Sequence, residues 1–352
     1  MADNALVTPP AGRADYVQPV PAWRVTLAGE DLTEVMRPRL IELSLSERRG
    51  EEADQLEITL HDVDRALALP PPEAVITVAL GWARGTGVTV GLVDKGSFRV
   101  DEISWEGPPD ALKITARAAD LTAGLRTRRD RSWNGRTLGQ IVEAVAGEHG
   151  LTPRVHADLA GLQVPSAQQS ARSDIQFIRD LGRRYDAVAT VKDGNLLFMP
   201  IGTAASISGR PLAALTLTRA MCERYAWSRR KREEHGGAEA QWNDRPGARR
   251  QRVRVGAGDN PRRLRRTYAS EAEARAAAQA AARRDARQAA EVSISLAFGN
   301  AAIGVEQPIG LTGFKSEIDA ARWQVAEVNH TIGARGFRTD IKLDLANDNA
   351  RT

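Results

Sequence analysis

Cysteine is nearly absent from this 352-residue chain, with Cys222 as the single example. One thiol excludes an intrachain disulfide and a cysteine-built zinc site. It fits a protein made in a reducing cytoplasm. Histidine is sparse too: His61, His149, His156, His235 and His330 are scattered, and no HExxH pair lies on a helix. A hydrolytic metal site of that kind therefore has no support. Aromatic residues make up only 5%, so aliphatic side chains and alanine must fill the cores. Long apolar runs are missing. The longest, Ala74 to Ala83, is about half of the ~20 residues a membrane-spanning helix needs. The N-terminus, MADNALVTPPAGRADYVQPVP, lacks the basic start and apolar centre of a signal peptide. The expectation is a soluble protein with no membrane anchor, not exported by the general secretory route. Phosphate-cradling GxxxxGK[ST], strand-linked GxGxxG and GxSxG elbows are also missing.

What is present is globular. Apolar residues make up 42% and charged residues 27%, and the net charge is a modest +4. The length suggests two or three domains. Residues 1–20, rich in Pro, Gly and Ala, read as a flexible arm. Residues 21–120 alternate repeatedly. Trp23 to Leu27, Leu40 to Leu45, Leu56 to Leu60, Val75 to Trp82, Phe98 to Ile103 and Ala111 to Ala118 are period-two strands separated by turns. Asp62 to Leu69 has room for a helical turn before Pro70-Pro71-Pro72, which cannot lie in a central strand. Short alternating strands of this kind predict an antiparallel β-barrel or sandwich.

Residues 121–200 change character and predict a small α/β module. Leu138, Ile141, Val142 and Val145 share one helical face, with Thr137 placed to cap it and Gly150 to stop it. The stretch SDIQFIRDLGRRYDAVATVKDGNLLFMP, from Ser173 to Pro200, reads as helix, strand, turn, strand. Ser173 or Asp174 caps the helix, and Asp193-Gly194 sits at the tight turn. Residues 201–345 return to alternation, notably Val292 to Leu296, Trp323 to Ile332 and Ile341 to Leu345. Just before them, 271–290 is an alanine-rich helix. It has too few large apolar residues for a core of its own, so it should lie on a sheet or another subunit. Residues 346–352 are a polar tail.

Few residue patterns point to chemistry. His149 and His156 flank a turn and could meet at a metal; surface or capping roles are the plainer reading. His330 sits among strand residues and reads as structural. Asp101 and Glu102 are adjacent on a strand, so their side chains diverge, which argues against a glycosidase pair. For a cell-wall hydrolase, Glu143 and Glu148 in the module are the residues to test. The run 223–266 holds fourteen Arg or Lys against six Asp or Glu, interleaved with Tyr225, Trp227 and Trp242. Such a run can be plain surface, an interface to acidic neighbours, or a nucleic-acid track. No catalytic, cofactor-binding or metal-ligating residue is assigned, and no cofactor is expected.

The chain resembles the late control protein D family of contractile-tailed phages. The resemblance rests on Ala53-Asp54 with Leu56 to Leu60, Leu80-Gly81-Trp82, Phe98 to Ile103 and Gly107 through Asp120. It continues in Ser173 to Pro200 and in the terminal hairpin from Trp323 to Leu345. It spans about residues 20 to 345. It implies a baseplate hub related to the base of the type VI secretion spike protein, and not an enzyme. The implied fold is α+β, mostly β, with two tube-like antiparallel β-barrel domains and a small inserted α/β module. The implied partners are two further copies in a homotrimer, a trimeric tail spike protein, the tail tube protein or a tube initiator, and other baseplate proteins. The chain stops soon after its terminal hairpin, so the spike is expected as a separate protein. DNA contact would be confined to the channel. The particle would be a phage tail or a genome-free tail-like particle (a tailocin), assembled in the bacterial cytoplasm.

Overall fold

A computed structural model describes residues 16–50, 54–118, 123–192, 194–202, 212–229, 236–244 and 246–346. The proposed arm up to residue 15, the tail beyond 346, Asp120, Asp193 and His235 lie outside the described residues. The architecture is mostly β and largely antiparallel, as the alternation predicts.

The first lobe holds β1 (Val20–Leu27), β2 (Glu30–Asp31), a short helix α1 (Thr33–Met36), β3 (Leu40–Arg48), β4 (Gln55–His61), β5 (Val75–Arg84), β6 (Gly91–Glu106) and β7 (Ala111–Ala118). Period two decides which side chains go in. Leu43 and Leu45 of β3, and Leu56 and Ile58 of β4, are fully buried, while Ser44 and Glu57 face outward. Each such burial contributes about 1.5–3 kcal/mol. The sixteen-residue β6 serves two neighbours, β5 through its first part and β7 through its second. No helix forms over 62–69. There Asp62 accepts from the Leu67 N–H at 3.0 Å and closes a turn instead.

The module holds β8 (Arg128–Thr137), α2 (Leu138–Glu148), β9 (Thr152–Val155), α3 (Ala157–Ala160), β10 (Gln163–Ser173), α4 (Asp174–Tyr185), β11 (Ala187–Lys192) and β12 (Asn195–Pro200). Thr137 and Gln140 form a reciprocal capping box at α2. Gly150, after the helix, has φ of +67°. Ser173 caps α4 by accepting from the Gln176 N–H. The α4 stripe Ile175, Phe177, Ile178, Leu181 and Tyr185 is buried, and Phe177 stacks on Trp133 at 6.1 Å. Gly182 is where α4 meets β11. A Cβ there would lie 2.8 Å from the Ala187 carbonyl oxygen.

The second lobe comprises β13 (Leu215–Thr218), β14 (Cys222–Arg229), β15 (Ala238–Asp244), β16 (Arg249–Val255), β17 (Arg262–Tyr268), α5 (Glu271–Arg287), β18 (Ala290–Leu296), β19 (Pro308–Thr312), α6 (Ser316–Asp319), β20 (Trp323–Gly333) and β21 (Gly336–Leu345). It has two separate cores. One lies under β18, β20 and β21, around Trp323, Val325 and Leu343. The other lies between the three-stranded sheet β16-β15-β17 and α5. The alanine helix does lie on a sheet. Ala274, Ala277, Ala278 and Ala281 are buried against it, and Ala276 packs on the module core.

The lobes meet in one thirteen-stranded sheet, because β20 pairs antiparallel with β3 from Glu327↔Arg48 to Gly333↔Glu42. Three buried ionisable groups sit behind this seam. Lys95 Nζ donates to Glu47 at 3.0 Å and to the Ile303 carbonyl at 3.2 Å. His330 Nε2 donates to the same carbonyl at 3.2 Å, and its Nδ1 accepts from Thr339. Burial alone would raise the Glu47 carboxyl, but His330 and Lys95 hold it down to about 2. Burial, and then the Glu47 charge, push nearby Asp54 up to about 6.

A second ionic chain ties the module in. Arg287 donates to buried Asp186 at 2.6 Å and reaches Asp344 at 4.0 Å. Asp344 accepts from Arg49, which also pairs with Glu306. Asp186 is the left-handed C-cap of α4, with φ of 57°. Arg184 of α4 pairs with Glu273 of α5.

Arg287→Ala removes the guanidinium that hydrogen-bonds buried Asp186 and leaves Arg283 and Arg284, at 3.7 and 3.8 Å, as its remaining partners, so it should cost about 3 kcal/mol in denaturant unfolding. Asp186→Asn combined with Arg287→Met should recover most of that loss, since Asn tolerates the left-handed conformation. Asp54 gives a pH signature. Its folded value, about 6, lies above its ordinary value of 3.8. The stability it adds is full below the ordinary value and lost as pH rises through about 6. Melting temperatures between about pH 4 and pH 7 should therefore fall more steeply in the native protein than in Asp54→Asn. Parallel curves would refute the assignment.

Candidate assembly surface

Eight consecutive strands, in the order β14-β18-β21-β20-β3-β4-β7-β6, each run antiparallel to the next. Strand alternation gives this run two unlike faces. One packs onto the lobe cores. The other is polar, with Ser293, Ser44, Thr59 and Thr115 among small side chains. Charges on it are paired across strands: Lys342–Glu291 at 3.4 Å, Arg48–Glu327 at 3.0 Å, Lys113–Glu57 at 3.2 Å and Arg117–Asp101 at 2.9 Å. Ser44 and Ser46 both donate to Asn329 Oδ1 at 3.1 Å across the β3–β20 seam. Cross-strand pairs of this kind contribute about 0.2–1 kcal/mol each.

The run ends in two edges. Among the described residues, β14 pairs only with β18, and the 102–106 part of β6 pairs only with β7. Tyr225 and Trp227 lie opposite Ile294 and Val292, on the core side of the sheet, yet remain 42% and 40% exposed. At the other end Ile103 and Trp105 lie opposite Ile114 and Leu112, also on the core side, and Trp105 is 48% exposed. Apolar side chains therefore stop short at both edges without cover. The charges are opposite. β14 carries exposed Arg224 and Arg229, and β6 carries exposed Glu102 and Glu106. Each edge also has local support. Tyr225 takes a hydrogen bond from Arg219 at 3.0 Å and packs edge-on against Phe314, and Trp105 donates to Asp62 at 3.2 Å. What these edges can do is pair: each offers unsatisfied backbone groups and an apolar side, with β14 net basic (Arg224 and Arg229 against Glu223, which pairs with Arg338) and the β6 end acidic.

The residues weighed for chemistry do not converge. His149 Nε2 bonds buried Asp174 at 2.8 Å, whereas His156 caps α3, so the two do not meet at a metal. Glu148, His149 and Asp174 do lie together. Arg131 and Arg129 already occupy them, at 2.6 and 2.8 Å from Glu148. A cation would have to displace two guanidiniums. The hydrogen bond from Arg131 holds the Glu148 carboxyl below its ordinary value, the reverse of what a general acid needs. Glu143 is exposed, and no ion pair involves it among the described residues. His330 is buried in the seam, and burial pushes its ring below the usual value. The basic run does not form one patch. Tyr225 and Trp227 lie on β14, while Arg249 to Arg266 lie on the separate sheet with α5. Sequence reading missed the β6 edge. The signal was there in Glu102-Ile103-Ser104-Trp105-Glu106, a strand alternating acidic or polar with apolar residues.

Known proteins share the sequence pattern and the fold of this chain. A family model described as phage tail baseplate hub (GPD) matches residues 51–336. A probable baseplate hub protein of Escherichia phage 186 is 35% identical over 366 residues, covering 92% of this chain and 93% of the relative. A tail protein from Neisseria meningitidis MC58 has a similar fold, with a TM-score of 0.63 at 12% identity, covering 94% of this chain and 97% of its own. A type VI secretion component from E. coli, described as similar to phage T4 tail proteins gp27 and gp5, gives a TM-score of 0.54 at 10% identity. That match covers 92% of this chain and 77% of the other.

Proposed function

The chain belongs to the phage tail baseplate hub family, whose members are structural virion proteins and not enzymes, and from that premise we propose that it works as a homotrimeric adaptor closed by its own sheet edges. The observation that carries the reading is the match between the two edges. Within one copy the eight strands alternate in direction, so the first and the last run opposite ways. Setting the β6 edge of one copy beside the β14 edge of the next continues the antiparallel order. It brings Tyr225 and Trp227 alongside Ile103 and Trp105 on one face, sets Arg224 on the other face with Glu102 and Glu106, and leaves Arg229 on the apolar side. Like edges would oppose like charges. The contact is therefore head-to-tail, and such contacts close into rings when the rotation fits.

In this reading residues 21–120 and 201–345 act as two tube-like domains, each giving four strands to the wall, and the module at 121–200 stands beside them. Three copies then present six four-stranded units. That matches a six-fold tail tube or tube initiator on one side and a separate trimeric spike on the other. The paired charges of the polar face line the channel, where any DNA contact would occur.

Native mass spectrometry of the purified protein, alone and with its cognate spike protein, should give three copies per assembly. Arg224→Glu with Arg229→Glu should reduce it to monomers of unchanged melting temperature. So should Glu102→Arg with Glu106→Arg. Combining all four changes should restore the trimer, because the charges are complementary again. Assembly indifferent to the single reversals, or a monomer that also fails to join the spike, would overturn the proposal.

A further inference from the structure

The β16-β15-β17 sheet has an outward face that the ring leaves unused. Alternation turns Ala238, Ala240, Val253 and Tyr268 toward α5. It turns Arg250, Arg252 and Arg254 of β16 the other way, opposite Asn243, Gln241 and Glu239 of β15. On β17, Arg263 lies opposite Glu239, and Arg265 falls between the inward Leu264 and Arg266. All five arginines are exposed.

One carboxylate stands among them. Glu239 Oε1 is 3.6 Å from Arg252 and 3.8 Å from Arg263, and it accepts no hydrogen bond. Arg250, Arg254 and Arg265 have no carboxylate partner among the described residues. Gln241 and Asn243 add amides between the guanidiniums. The helix α5 separates this sheet from the module, so the arginine face points away from the body of the molecule.

We propose that this face docks a carboxylate-rich segment of a neighbouring tail protein. Five guanidiniums around one glutamate need negative charge, and the planar guanidinium fork suits carboxylates. The position of the aromatics decides between protein and nucleic acid. Trp242 and Tyr268 pack under α5, and Tyr225 and Trp227 belong to another sheet. Among the described residues the face therefore has no platform on which bases could stack. Glu239 at its centre would also repel a run of phosphates, whereas an acidic polypeptide can place an amide or hydroxyl there. The inference stands apart from the ring, because it uses neither sheet edge.

The test uses the full-length protein and a short polyglutamate peptide as probe, with binding followed by fluorescence anisotropy. Affinity should fall as salt rises. Replacing Arg250, Arg252 and Arg254 together with serine should weaken binding about tenfold or more. Glu239→Gln should tighten it about threefold by removing the one like charge. A gain of affinity cannot come from misfolding, so the second variant protects the test if the first is unstable. The ring variant with Arg224→Glu and Arg229→Glu should bind polyglutamate as the native protein does. Equal affinity in all variants, or tighter binding of a charge-matched duplex oligonucleotide at the same ionic strength, would overturn the proposal.

Discussion

The backbone ladder between β20 and β3 is the constraint on which the rest of the molecule depends. It makes one sheet of two lobes, and Ile332 and Phe337 of the second reach into the core of the first. Its hydrogen bonds join main-chain groups, so no single side chain can abolish it. The side chains set its register. Asn329 takes hydrogen bonds from Ser44 and Ser46 on the polar side, and the Lys95–Glu47–His330 group lies behind it. A slip by one residue would turn every apolar side chain outward and leave those buried charges unpaired. That cost keeps the eight-stranded wall continuous and its two ends in place.

The module is held to this wall by charge and by small size. Alanine lets α5 lie close to the β15–β17 sheet on one side and to the module core on the other. Arg287, Asp344 and Arg49 then link the C-cap of α4 to the last strand of the second lobe. Buried ion pairs add little net stability over apolar packing, but they penalise misplacement heavily. This suits a protein that must present surfaces in fixed relation to its neighbours.

Local pattern made much of this readable. Period two in Leu56 to Leu60 and in Val292 to Leu296 marks strands with one buried face. Thr137 and Ser173 mark helix starts, and the alanine run marks α5. Long-range pairing was not readable, because periodicity fixes which face is buried and not which strand lies beside it. Glu42 to Arg48 carries no sign that its partner lies near the C-terminus. For the same reason the basic run reads as continuous in sequence, although Tyr225 and Trp227 belong to one sheet and Trp242 with most of the arginines to another. In sequence Trp227 reads as one aromatic of the basic run, and Trp105 falls beyond the Phe98 to Ile103 strand. Only their position at opposite ends of the wall makes them a candidate contact.

The distance along the chain between β3 and β20 bears on synthesis. β3 ends at Arg48 and its partner begins pairing at Glu327. At ~5–20 residues per second the ribosome needs roughly 15–60 s to cover that interval. From the completion of β7 until β20 is made, the first lobe carries a bare strand margin, and its core still lacks Ala301, Ile332 and Phe337. Glu42, Ser44, Ser46 and Arg48 line it, and their polarity discourages stray pairing between nascent chains. The same four side chains that face the polar wall in the finished protein thus guard its unfinished half.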